Sequence, residues 1–211
     1  MNKIFSNYVT NMTEDNVLNA SSWFKDKVTE ANSKDEKRES AFNSKVVNTA
    51  KLIRDNSTKG VSRVRLGHLY LFRYDAKLKQ ELPYYDIFPV IFIIQRKQDG
   101  FLGLNLHYLP YEFRASLMDS LYNFVVGEDD LQRLRATYNI LTSTTKLRFF
   151  RPCLKHYLNT NIKSRFIHVN PDEWDTALFL PLHKFRKATA PQVYRDSIKS
   201  IRRASHQGRI I

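Results

Sequence analysis

The chain has 211 residues, 13% of them aromatic, a formal net charge of +13 and a mean hydropathy of −0.47. That length suits one domain of ordinary size plus an appendage, and 14 Phe with 11 Tyr exclude an intrinsically disordered chain. No apolar run approaches the roughly 20 residues of a membrane span, the N-terminus shows no signal-peptide core, and the one cysteine, Cys153, excludes an internal disulfide and points to a reducing compartment.

Residues 1–62 are rich in Asn, Ser, Lys, Asp and Glu, with no Pro and one Gly, Gly60. Thr13 is placed to cap a helix over 14–31, whose loose apolar face carries Val17, Leu18, Phe24 and Val28. A second helix is expected from about Glu39 to Asp55, with Phe42, Val46, Ala50 and Ile53 at helical spacing. Neither has enough apolar surface to form a domain alone, so 1–62 reads as a helical arm and linker on a body of 63–211.

The body opens with a β unit. Leu69–Tyr74, Val90–Gln95 and Leu102–Leu109 are β-branched and aromatic runs, punctuated by Gly67, Pro83, Pro89 and Asp99-Gly100. Alternation puts Tyr70 and Phe72 on one sheet face and Leu69, Leu71 and Arg73 on the other. Phe92 and Ile94 are expected to share an interior face with residues of Leu102–Leu106. A helix over 111–126 follows, then one over about 129–141, then a short helix from Arg151-Pro152 through Leu158. Strands are expected over Ser164–Val169 and Ala177–Leu180, and a last helix from Pro191 to about Ala204.

Two polar constellations lie in the β unit. Pro83-Tyr84-Tyr85-Asp86 reads as a structural corner, with one Tyr packed inward and Asp86 accepting loop N–H bonds; the functional alternative is stacking on a base or a peptide. Asn105 and His107 fall on one face of the third strand as a hydrogen-bonded pair; the alternative is acid–base chemistry, for which no nucleophile or carboxylate is locked to them by spacing. No catalytic residue is assigned. No metal is assigned either: the motifs of zinc sites are missing, and Glu128-Asp129-Asp130 sits at an expected helix start, where negative charge is favourable anyway.

The charge is uneven. Residues 1–62 hold 10 Lys/Arg against 8 Asp/Glu, residues 63–145 hold 10 against 9, and residues 146–211 hold 14 against 4, so +10 of the +13 lies in the last third. Such a third fits a polyanion or an acidic protein neighbour, against a merely solvated face. Lys146, Arg148, Arg151, Lys155, Lys163 and Arg165 open it. The candidate DNA-contacting residues are Lys184, Arg186, Lys187, Arg195, Lys199, Arg202, Arg203 and Arg209. Arg195, Lys199 and Arg202 share one helical face.

Two resemblances rest on these segments. The pattern Gly67-x-Leu69-Tyr70-x-Phe72-x-Tyr74-Asp75, Leu82-Pro83-Tyr84-Tyr85-Asp86-x-Phe88-Pro89 and Gly100-Phe101-x-Gly103-x-Asn105-x-His107-Tyr108-Leu109-Pro110 resembles a structural protein family of large contractile-tailed phages. Members are described as DNA end-protector or head-completion proteins. Ser164-Arg165-Phe166-Ile167, Glu173-Trp174 and Phe179-Leu180-Pro181-Leu182 resemble the same family, so the likeness spans roughly 63–200. A strand after a Gly, a loop and a Pro-led strand is also similar to the SH3-like barrel of MazF-type ribonucleases. Those carry an Arg just before the Pro-led strand, where Ile87 and Phe88 stand here.

The expectation is therefore an α+β fold: a small antiparallel, SH3-like β-barrel with flanking helices and an N-terminal helical arm. The phage resemblance implies a virion protein at the head or neck, present in the host cytoplasm during assembly. It would be non-enzymatic and cofactor-free, and would contact double-stranded DNA without sequence preference and other virion proteins in a larger assembly. A head–tail adaptor that never meets DNA is the alternative, and a MazF-like ribonuclease a distant one.

Overall fold

The computed structural model describes residues 47–111, 113–115, 117–118 and 148–207, with Ile4 and Asn139 besides. The expected helix over 14–31, all of the one over 129–141 except Asn139, and most of the arm lie outside these residues, as do Lys146 and Arg209. The arm is seen at its end, where Thr49–Asp55 forms helix α1 with Asn48 accepting from the Lys51 N–H at its start. Leu52 and Ile53 of α1 are buried in the main core, and Thr49 Oγ1 donates to the Leu182 carbonyl across 133 residues of sequence.

The chain is α+β, as expected. Strands β1 (Leu69–Leu71), β3 (Val90–Arg96), β4 (Gly100–Asn105), β5 (Leu154–Leu158) and β6 (Ile167–Val169) form one antiparallel sheet in the order β5-β4-β3-β1-β6. A separate two-stranded ribbon pairs β2 (Tyr85–Asp86) with β7 (Phe185–Arg186). Among the described residues no pairing joins β5 to β6, so the five-stranded sheet stays open rather than closing as an SH3-like barrel.

Side-chain alternation divides the interior into two cores. Leu69, Leu71, Phe92, Ile94 and Leu104 face one, together with Leu106 beyond the strand end. Tyr70, Phe72, Ile91, Ile93 and Phe101 face the other. The first is covered by α1, by α2 (Trp174–Phe179) and by α3 (Ala190–Gln207), with Trp174 edge-on to Phe92 at 4.9 Å. The second is an aromatic cluster, in which Phe72 meets Phe101, Tyr157 and Phe166 edge to face at 5.0–6.0 Å. Burial on both faces explains why Val90–Ile94 reads as an unbroken apolar run.

Three expected elements differ. The segment 151–158 is a 3-10 turn over Arg148–Cys153 followed by β5, not a helix. Lys155 and Tyr157 alternate with Leu154, His156 and Leu158, and pairing with the open edge of β4 outweighs a weak helical preference. Within the segment 177–180, residues 177–179 belong to helix α2, not to a strand, and Leu180 caps its end. The helix follows the turn Pro171–Glu173 and is buried on all sides, where a short apolar run does not reveal its period. The third strand stops at Asn105, whose side-chain oxygen accepts the His107 N–H and turns Leu106–Tyr108 into a 3-10 turn.

Gly100 lets β5 approach β4. A Cβ there would lie 1.9 Å from the Tyr157 carbonyl oxygen, a backbone atom with nowhere to go. Gly100→Ala is expected to lower unfolding stability by about 1–3 kcal/mol, the usual cost of overpacking, read as a shift in urea midpoint.

Candidate nucleic-acid interface

The site grows from a buried carboxylate. Asp86 is 3% exposed, and its Oδ1 accepts from the Phe88 N–H at 3.1 Å and the Lys184 N–H at 3.0 Å. Its Oδ2 accepts from Asn105 Nδ2 at 3.3 Å and pairs with His107 Nδ1 at 2.7 Å. Burial works to raise the Asp86 carboxyl; His107 and the Lys184 N–H outweigh it and hold the carboxyl below its ordinary value. Burial lowers His107 more than Asp86 raises it, and His183 falls to about 3, again through burial first. The consistent state is an ionised Asp86 accepting from a neutral His107 whose proton sits on Nδ1. His107 is sealed from solvent, so this cluster is scaffolding for the ribbon rather than an acid–base site.

That anchor ties β2 to β7 and so sets the Pro83-Tyr84 loop beside the basic segment. Tyr84 and Tyr85 part company there: Tyr84 packs on the main core near Tyr108 and Phe185, and Tyr85 on the aromatic core. Lys187 stands at φ 68°, a left-handed conformation uncommon outside glycine. Its ammonium donates to the Gln80 carbonyl at 2.7 Å and the Leu82 carbonyl at 3.1 Å, clipping the loop to β7. One of its three N–H donors stays uncommitted by those two bonds.

Helix α3 follows at once. Gln192 reaches back to cap its start, its Oε1 accepting from the Thr189 N–H at 2.7 Å and the Thr189 hydroxyl at 3.1 Å. Val193, Ser197 and Ile201 are buried at four-residue intervals, which turns Arg195, Lys199, Arg202 and Arg203 to solvent. An open groove of about 350 Å3 lies between helix and loop, lined by Pro83, Tyr84, Lys187, Ala188, Gln192, Arg195, Asp196 and Lys199. Three cations thus meet one carboxylate and one aromatic ring at the N-terminal half of a helix, where the helix dipole also favours negative charge.

The groove joins residues from two separate sequence expectations: Pro83 and Tyr84 of the corner motif, and Lys187, Arg195 and Lys199 of the basic set. Exposed Lys184 and Arg186 flank it along β7, and Arg202 and Arg203 continue beyond it along α3. Lys155 is not part of it; its ammonium lies 4.1 Å over the Tyr108 ring and burial lowers its pKa. The sequence reading missed Arg114, which is fully buried and supports α3 from beneath by donating to the Tyr194 hydroxyl at 2.9 Å. Among the described residues no group of three potential ligands is placed to hold a metal ion.

The family model described as Phage T4 terminal DNA protecting protein matches residues 7–197. The chain belongs to that family. No curated protein and no solved structure matches it. The matched span covers the Pro83-Tyr84 loop and α3 through Arg195 and Asp196, and ends before Lys199. Membership makes the chain a phage DNA-protecting protein, in agreement with the resemblance carried by the β unit.

Proposed function

We propose that the protein protects the ends of packaged duplex DNA by physical occlusion, as a non-enzymatic virion component at the head or neck that also touches neighbouring subunits. The observation that carries this reading is the groove that gathers Lys187, Arg195 and Lys199 beside Tyr84 in a chain of the DNA-protecting family. Arg195, Lys199 and Arg202 present one exposed helical face to phosphates, with Lys184 and Arg186 flanking. Contacts of this type position a duplex without reading its sequence. Occlusion needs no nucleophile and no metal, and the buried pair of His107 with Asp86 is closed to any substrate.

Fluorescence anisotropy with linear duplex across a salt series tests the reading. Each neutralised phosphate releases condensed counterion, so affinity is expected to fall steeply with salt. Replacing Arg195, Lys199 and Arg202 together with Gln should leave the fold intact and reduce the salt slope by about 3, one for each lost contact. A triple variant that binds linear DNA like the parent would transfer these charges to a protein neighbour and favour the head–tail adaptor.

A further inference from the structure

We propose that the groove receives the terminal nucleotide of a duplex, with the end base stacked on Tyr84 and its phosphate held among Lys187, Arg195 and Lys199. This rests on the DNA-contacting reading of the groove and adds what makes the contact specific for ends.

Four features of the site point this way. Phosphate contact alone needs only cations on a convex surface; here three cations share a concave site with an aromatic ring. A volume of about 350 Å3 lies at the small end of ligand pockets, roughly 300–1,000 Å3. It suits one nucleotide-sized group rather than the wall of a duplex. Tyr84 is also held in place: Pro83 precedes it, Lys187 fixes the Leu82 carbonyl just before it, and Tyr108 and Phe185 pack at ring-centroid distances of 6.1 and 6.4 Å. Asp196 adds an acceptor for base or sugar donors beside the three cations.

The choice of an end follows from duplex structure. Inside a duplex both faces of every base are covered by neighbours, and only the last pair leaves a face open to an aromatic platform. Stacking of this kind is tolerant of base identity, because every base has a π face. End specificity without sequence specificity is the combination that results.

The test compares a short blunt duplex with a dumbbell of the same sequence whose ends are closed by hairpin loops. Binding of the full chain, Tyr84→Ala and Tyr84→Phe is measured by anisotropy. The parent is expected to prefer the open duplex by about tenfold or more, in line with roughly 1–3 kcal/mol per stacked base. Tyr84→Ala should bring the ratio of open to closed affinities towards one, and Tyr84→Phe, which keeps the ring, should restore it. Equal binding of both duplexes by the parent overturns end recognition and leaves phosphate contact standing. Binding of neither removes the DNA-contacting reading as well. A preference for ends that survives in Tyr84→Ala overturns the platform.

Discussion

Replacing Asp86 with Ala should cost about 3–5 kcal/mol of unfolding free energy, the scale at which a buried charged partner is lost. Four donors converge on this carboxylate: two backbone N–H groups, Asn105 and His107. Each would be left in the interior without an acceptor, at about 1–3 kcal/mol apiece before relaxation. Asp86→Asn should cost less, since one oxygen still accepts from Phe88 and Lys184. Urea denaturation at pH 7 measures both. Two histidines lowered by burial set the acid sensitivity: His183, beside this cluster, and His68, which lies apart from it against His168. His183 titrates near 3 and His68 near 4 in the folded chain, both lowered first by burial. Their unfolded values lie near 6.5. The unfolded chain therefore binds protons first, and stability is complete above pH 6.5 and declines as pH falls towards 4 and then 3. Asp86, held below its ordinary value, adds its own loss only further down, as pH falls through its folded pKa. An unfolding free energy that is flat from pH 7 to pH 4 would contradict neutral, buried histidines.

This dependence reaches the DNA groove through covalent neighbours. Asp86 ends the Pro83-Tyr84-Tyr85-Asp86 motif and holds the N–H of Lys184, three residues before Lys187. Loss of the carboxylate releases β7 from β2, and with it the clip between Lys187 and the carbonyls of Gln80 and Leu82. Asp86→Ala, under conditions where it stays folded, should accordingly bind DNA more weakly although residue 86 is buried, whereas Asp86→Asn, which keeps the bond to the Lys184 N–H, should bind close to the parent. Stability and recognition share a scaffold here.

Much of this was legible in the sequence where a pattern repeats. The period of two in Leu69–Phe72 assigns each side chain to the core it occupies, and turn residues bound β3 and β4. The exposed face of α3 is legible for the same reason, with Arg195, Lys199 and Arg202 four and three residues apart; the burial of the polar Ser197 between Val193 and Ile201 was not. The β5 and α2 segments were not, because Leu154–Leu158 and Trp174–Phe179 are short and their burial is decided by partners far away in sequence. The convergence of Tyr84 with Lys187, Arg195 and Lys199 was legible only as two separate lists. What joins them is the β2–β7 ribbon, a contact across about a hundred residues that no local pattern announces. Arg114 carried no signal at all, since an arginine on an expected amphipathic helix is by default on its wet face.

Arg114 is nevertheless the side chain whose loss should rival that of Asp86. It is 0% exposed. Its Nε donates to the Leu109 carbonyl at 2.9 Å, Nη1 to the Leu178 carbonyl at 2.6 Å, and Nη2 to the His107 carbonyl at 3.3 Å and the Tyr194 hydroxyl at 2.9 Å. The guanidinium lies 4.5 Å from the Tyr111 ring centroid and 5.7 Å from that of Tyr194. It thus joins the turn after β4, the end of α2 and the flank of α3, three elements that share no ladder. Arg114→Ala removes the shared donor from three carbonyls and the Tyr194 hydroxyl and opens a cavity; a loss of about 3–5 kcal/mol is expected. Arg114→Lys keeps the charge but not the planar fork, and cannot reach four acceptors at those angles, so it should recover less than half of the loss. The DNA readout separates this from a role in phosphate contact. At a urea-free, low temperature where Arg114→Lys remains folded, its salt slope on linear duplex should equal the parent's, because a cation enclosed by carbonyls and rings releases no counterion. A reduced slope would move Arg114 from the scaffold to the interface, and with it the count of charges that face DNA.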